Sequence, residues 1–371
     1  MRSFVPAPAA AALAVLFSLL LSAAPAAAQT YPAPTRAASP STPEQDAALR
    51  AGTALHDQGK YDEAIARYQD VLAQNPGNMT ALYELAFTYS ARNDHAKALE
   101  AARRGIAYKS PQLALFYDLI ASSLDSIGQP AQAIDAYRKG VEYVPRAANL
   151  YYNMAVTYYE SLNKPDEARH ALEKAVGIEP TNADTELLLG QIFESTGYRT
   201  PAFFALSKFL IIRPAGQDTL QGYGVWRRLL RAGMTPVRGT ARGNAGPAAP
   251  QPPEKADEGN FGDIDRQFAL SQVAAQDAMD KGRSEIDALV GQVDAILARI
   301  AAHQPRDDRS FVWTHYAPYF IELKEKNFVQ PFVYWISQRA PVPGVREWLE
   351  ANQPKLREYL DWTLQYRWLT D

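Results

Sequence analysis

The chain has no cysteine among its 371 residues, which excludes disulfides, thiolate metal sites, cysteine nucleophiles and a lipid-modified cysteine together. Stability must therefore come from packing. A dominant sign of charge is also missing, since 38 Lys and Arg stand against 41 Asp and Glu. A nucleic-acid binder would carry a basic excess, so that class is set aside. The five histidines, His56, His95, His170, His303 and His315, are scattered, and no HExxH, GxSxG or phosphate-binding glycine loop occurs. Metal-ligand spacing is lacking as well, so no cofactor and no metal is expected. The nearest approach to a catalytic constellation is His315, Tyr319 and Glu322. Pro318 should start a helix there, leaving His315 in the preceding turn and off the helical face. The expectation is a protein that is not an enzyme.

Long apolar runs are absent except at the start. Arg2, the apolar stretch from Ala9 to Leu21, then Pro25 and Ala26-Ala27-Ala28 have the form of a secretory signal peptide spanning residues 1–28. Cleavage after Ala28 would leave a periplasmic or secreted protein, with membrane attachment only if the leader stays on. Residues 29–44, rich in Pro, Ala and Ser, read as a flexible spacer.

What the sequence does have is a period. Pro76, Pro111, Pro145, Pro180 and Pro214 are 35, 34, 35 and 34 residues apart, each following an amphipathic helical pattern. A fixed period of this length is the mark of stacked helical hairpins. Aligned, the repeats run 45–78, 79–112, 114–147, 148–182 and 183–216. Their eighth residues are Gly52, Ala86, Ala121, Ala155 and Gly190; their twentieth are Ala64, Ala98, Ala133, Ala168 and Ala202. Two helices approach closely only where the crossing points lack bulk, which requires small residues at both places. Leu85, Tyr89, Leu119, Tyr137, Met154, Tyr158, Leu189 and Phe193 then fill the space between hairpins.

The run GKYDEAIARYQDVLAQNPGN from Gly59 to Asn78 resembles the tetratricopeptide repeat family, and the likeness extends over residues 45–216. Departures are local: Ser110 where proline is usual, and one extra residue in the fourth repeat, expected in its turn near Lys164 and Pro165. The resemblance implies an all-α right-handed superhelix of five hairpins with a concave groove that binds other proteins and performs no chemistry. A repeat array needs a cap, and residues 217–232 offer one, with Leu220, Tyr223, Trp226 and Leu230 on one side. The repeat domain is thus expected at 45–232.

In the resembled family the groove is lined by positions 2, 5, 9, 12 and 13 of each repeat. Carried onto this chain these include Asp46, Asp57, Asp118, Asp125, Glu160, Asp184 and Glu194, with Tyr83, Phe87, Tyr152 and Tyr159. None of the 25 positions is Lys or Arg, whereas the second helices carry Arg67, Arg103, Arg104, Arg138, Lys139, Lys174 and Lys208. A cleft lined by one sign attracts the other, so the expected partner is a protein segment with basic residues and some apolar anchors. Family members that clamp a partner's terminal carboxylate use Lys, Asn and Arg where this chain has Leu49, Thr53 and Glu84, which argues against that mode.

Residues 233–260, rich in Pro and Gly, are expected to be a disordered linker between semi-independent parts. Beyond it, Ile286, Leu289, Val293, Ile296 and Ile300 recur at heptad-like spacing and should pair with the stretch from Ile264 to Met279 as a hairpin. From Phe311 onward 14 of 61 residues are aromatic, including five of the six tryptophans. Most are expected to form the core of a helical domain over 261–371. Trp348, Trp362 and Trp368 are candidates for a second contact, either a protein-docking face or a glycan-stacking platform of a cell-envelope accessory protein.

Overall fold

The computed structural model describes residues 31–231, 261–303, 305 and 308–369. The leader at 1–28 with its cleavage site, and the linker at 233–260, lie outside the described residues. Ten helices make five hairpins: α1 (Pro43–Asp57) with α2 (Tyr61–Gln74), α3 (Met79–Ala91) with α4 (His95–Gly105), α5 (Leu113–Ser126) with α6 (Pro130–Tyr143), α7 (Ala148–Val156) with α8 (Pro165–Ile178), and α9 (Ala183–Ser195) with α10 (Arg199–Ile212). Their starts are written locally. Thr42 and Gln45 form a capping box ahead of α1, while Asn78, Asp94 and Asn182 accept from the first turns of α3, α4 and α9. Each hairpin turn needs one left-handed residue, supplied by Gly59, Asn93, Gly128, Asn163 and Gly197.

The five alanines at the twentieth position are all fully buried, as close helix crossing demands. At Gly190 an added Cβ would lie 2.6 Å from Leu206 Cγ and 3.3 Å from the Leu206 backbone nitrogen. Gly190→Ala should therefore cost about 1–3 kcal/mol by overpacking, measured by thermal or denaturant unfolding; an unchanged midpoint would contradict the close approach. The extra residue of the fourth repeat is not in the turn. It is absorbed as a π turn over Thr157–Ser161 that continues α7, with Leu162 N donating to Thr157 O at 3.1 Å. A helix can take in one residue by widening a single turn, and this keeps the left-handed Asn163 in place.

The region after the repeats differs from two semi-independent parts. α11 (Thr219–Arg231) follows the fifth hairpin, with Trp226 fully buried and donating through Nε1 to Ser207 Oγ at 2.8 Å; Leu220, expected on its buried side, is exposed. α12 (Gly262–Asp280) and α13 (Glu285–Ala302) pair as the expected hairpin, with all five heptad-like residues buried. A π turn at Val312–Tyr316 leads into α14 (Ala317–Glu325), followed by α15 (Val329–Ile336), α16 (Val345–Ala351) and α17 (Gln353–Gln365). α10 touches α9, α11, α12, α15 and the second π turn, and one continuous apolar cluster runs from Leu49 to Tyr359. The cause is α10 itself, whose residues Thr200 to Ile211 are all buried. A helix that is apolar on every face needs cover on every side, and α11 alone cannot provide it.

Residues 31–42, expected as part of a flexible spacer, are pinned along the loops of the first three repeats. Arg36–Ala37 (β1) pairs in parallel with Tyr108–Lys109 (β2). Ser39 N donates to Gly77 O at 3.0 Å, and Tyr31 meets Tyr117 edge-on at 5.6 Å. The segment has little to bury, but its amides find carbonyls that the repeat loops leave unpaired.

Candidate partner-binding groove

Successive first helices touch, α1 with α3, α3 with α5 and α5 with α7, and α9 continues the series onto α11. They form the inner side of the array, and they carry all eleven groove residues named from the sequence. The structure sorts those residues into three kinds. Asp46, Asp57 and Glu160 are exposed, and among the described residues none has an ion-pair partner. Asp118 accepts from Asn153 Nδ2 at 2.7 Å and Asp125 from Thr157 Oγ1 at 2.9 Å, ties between neighbouring first helices; burial raises the Asp118 carboxyl. Asp184 and Glu194 are paired. Arg213 binds Asp184 through two nitrogens at 2.7 and 3.1 Å, and Arg228 reaches Glu194 at 3.3 Å. The Arg213 bond holds the Asp184 carboxyl below its ordinary range. The groove is thus not acid-lined along its whole length. Its far end is neutralised by arginines from the α10–α11 connection and from α11, outside the repeat positions that were read from the sequence.

The aromatic residues divide similarly. Tyr83 stacks on Phe87 (6.0 Å, 10°) and Phe87 on His56 (5.1 Å, 23°), with Tyr61 edge-on to His56. Phe87 is 41% exposed and Leu115, one helix further, 37%. Tyr152 is half-buried within the fields of Asp184 and Glu160, and the Tyr159 hydroxyl lies 3.4 Å from Ser195 Oγ. His56 and Leu115 stand at groove positions but were not singled out, since neither is acidic or aromatic in the usual sense. Glu84 stands beside the groove positions, on the same helix as Tyr83.

The three candidate tryptophans are half-buried against other rings. Trp348 stacks on Tyr334 at 4.3 Å, Trp362 on Tyr319 at 4.8 Å while donating to Glu322 Oε1 at 2.9 Å, and Trp368 on Tyr319 at 4.6 Å. His315 and Glu322 do not form a constellation. Glu322 serves Trp362 and Lys326, whereas His315 is buried between Phe311 and Trp368, in the π turn that runs directly into α14. There it belongs to the join between repeats and C-terminal region. Glu186 of α9 and Lys208 of α10, both without solvent exposure, pair at 2.9 Å. The Tyr316 hydroxyl donates to Glu186 at 2.5 Å, the Lys208 ammonium lies 2.8 Å from His315 Nε2, and it sits 4.0 Å from the Trp368 ring centre. Desolvation is the leading cause of a raised Glu186 carboxyl and a lowered Lys208 amine.

Burial first, and then Lys208, push His315 down from 6.5 to about 2. Below pH 6.5 the unfolded chain takes up a proton there that the folded chain refuses. Stability should fall by about 1.4 kcal/mol per pH unit as the pH drops from 6.5 towards 5. Chemical denaturation at several pH values checks this, and His315→Asn should remove that slope; an equal slope in both proteins would contradict the assignment.

This geometry, a stack of hairpins with a groove lined by first helices, is that of a tetratricopeptide-repeat segment. Family profiles described as tetratricopeptide repeat match residues 55–122 and 148–182. The chain carries such a segment, and proteins built on it are in general non-enzymatic scaffolds that bind other proteins. Among solved structures, MamA is 27% identical over 43% of this chain and 93% of its own, with a TM-score of 0.38. A thermophilic TPR protein of Thermus thermophilus is 24% identical, covering 50% and 99%, at 0.40. YrrB, a TPR protein with an unusual peptide-binding site, is 18% identical, covering 49% and 94%, at 0.37. A comparison with curated protein sequences gives no match. Among the described residues no cluster of three or more His, Asp or Glu could hold a metal ion, and no helix is long and apolar enough to cross a membrane.

Proposed function

We propose that the protein is an exported scaffold or adaptor of the periplasm that recruits a partner protein by a segment laid in the concave groove. The observation that carries this reading is the contrast within the groove. The half formed by α1, α3 and α5 presents the exposed Phe87 and Leu115 and leaves Asp46 and Asp57 without ion-pair partners among the described residues, while in the far half Asp184 and Glu194 are satisfied internally and Glu160 alone of the named acids stays open. Unpaired acids next to apolar anchors suit a segment with basic and apolar residues, and exposed aromatics are the usual centres of binding energy. The C-terminal region completes the cover of α10 and fixes the far end of the array. Trp348, Trp362 and Trp368 have ring neighbours within the protein, so the glycan platform is the weaker reading.

Cross-linking and pull-down of the mature protein from the exported fraction, repeated with Asp46→Lys and Asp57→Lys, tests the proposal. Loss of one specific partner in the reversed variant supports it. Retention of every partner, or an intact leader with the protein in the cytosol, would overturn the corresponding half of it.

A further inference from the structure

We propose that the C-terminal region holds a second docking site, a cavity along α14 that takes an extended basic segment of a partner protein, the segment's backbone carbonyl accepting from Trp313 and its basic side chain meeting Asp308 and Glu325. The site shares no residue with the groove and does not depend on it.

The cavity has a volume of about 730 Å³, which is in the range of ligand sites and leaves room for a few residues of extended chain. Ala317, Ile321 and Glu325 are four residues apart, so they share one face of α14 and form a wall of the cavity. Glu322 and Lys326 also line it, but they are committed to each other at 3.6 Å, and Glu322 accepts from Trp362 Nε1 at 2.9 Å. Asp308 and Glu325 remain as the open charges of the lining. Asp308 accepts from the Ser310 amide at 2.8 Å, and neither acid has an ion-pair partner among the described residues.

Trp313 lines the same cavity, is only 8% exposed, and has an indole N–H without a hydrogen-bond partner. A buried donor left unused costs about 1–3 kcal/mol. Trp226 and Trp362 avoid that cost by donating to Ser207 and Glu322. The Trp313 ring is not free to turn towards another acceptor, because Phe261 stacks on it at 5.3 Å and 13°, and His303 lies against it at 6.2 Å. Glu325 and Lys326, exposed on the same lining, change rotamer within nanoseconds and can open a path to the N–H.

The lining therefore asks for a neutral acceptor close to a positive charge. A backbone carbonyl next to an arginine side chain supplies both, and the guanidinium matches carboxylates in shape as well as sign. Ala317, Pro318 and Ile321 give the arginine stem and its neighbours an apolar surface. An anionic ligand would meet the two open carboxylates and be repelled. A sugar would need an open ring face to stack on, whereas the Trp313 ring is buried and packed on Phe261.

The test uses the mature full chain with Asp46→Lys and Asp57→Lys, which takes the groove out of play, and with isotope-labelled tryptophan. The probe is a twelve-residue peptide with two arginines in an alanine–serine background, alongside a version with citrulline in their place. In a nitrogen–proton correlation spectrum the Trp313 indole signal is the one missing from Trp313→Phe. The arginine peptide should move that signal downfield, as a new hydrogen bond does, and leave the signal of Trp226, already bonded to Ser207, where it was. Anisotropy of the fluorescein-labelled peptides should show arginine binding about tenfold more tightly than citrulline. Trp313→Phe should weaken arginine binding about fivefold and Glu325→Gln about threefold. Glu325 is exposed and has no ion-pair partner among the described residues, so its loss of binding would not be loss of folding. A Trp313 signal unmoved at saturating arginine peptide, equal binding of arginine and citrulline, or no binding of either overturns the site and leaves the groove standing. Movement of the Trp313 signal by chitotetraose and not by the arginine peptide overturns it in favour of a glycan.

Discussion

Lys208→Met should lower the stability of the protein by roughly 3–5 kcal/mol, the usual cost of leaving a buried charge without its partner. Lys208 has no solvent exposure and holds Glu186, also unexposed, at 2.9 Å. Removing the ammonium strands a carboxylate that water cannot reach, together with the His315 nitrogen and the Trp368 face turned to the same cation. The double variant Lys208→Met with Glu186→Gln should recover most of the loss. It leaves no charge, keeps an oxygen to accept from the Tyr316 hydroxyl, and packs methylenes where the lysine stem lay. Denaturant unfolding of the parent, the single and the double variant forms the measurement. A single variant as stable as the parent would show that the ion pair carries no weight. A double variant as weak as the single would show that the loss comes from shape and not from charge.

Expressing residues 29–232 alone should give a protein that fails to remain a soluble monomer. In a modular repeat protein the array with one capping helix folds by itself. Here the cut would expose the sides of α10 that meet the C-terminal region. Phe203 packs on Phe268 at 5.5 Å and Phe204 on Phe320 at 5.1 Å, and neither phenylalanine is exposed in the intact chain. Two such side chains left in water forfeit about 1.5–3 kcal/mol each and add an apolar patch that invites association. Size-exclusion chromatography should show aggregates, and hydrogen exchange should find α9 and α10 unprotected while α3 to α6 stay closed. A monodisperse fragment with protected α10 would mean that the C-terminal region is an accessory and not a part of the core.

The sequence made the array legible because close helix crossings tolerate only small residues, and ten Gly and Ala at two fixed positions recorded that requirement five times over. The same record contained the fate of α10. The stretch FFALSKFLII has no polar face, so it announces burial on all sides, although its place in the period makes it look like the second helix of an ordinary repeat. The groove was legible as a set of positions and not as a distribution of charge. Arg213 and Arg228 reach Asp184 and Glu194 from a connection and a capping helix that no repeat alignment includes. In the sequence Glu84 reads only as the wrong residue for a carboxylate clamp; that no ion pair forms with it among the described residues depends on what α1 does not place next to it. The pinning of residues 31–42 leaves little mark, because much of it is backbone amides bonding to loop carbonyls, which require nothing of their side chains, and the contacts of Tyr31, Arg36 and Ser41 follow no repeat pattern.

The described chain begins and ends against repeats that lie far from it in sequence. Arg36 pairs with Tyr108, Tyr316 reaches Glu186 over 130 residues and His315 reaches Lys208 over 107. Such fastening opposes the habit of linear arrays to fray from their tips and to fold one unit at a time. As the chain folds, residues 31–42 would wait for the third hairpin before they could settle. Completion of the last hairpin would wait for the final aromatic stretch. A protein closed at both tips in this way is made to be kept whole, with its groove held at a fixed curvature.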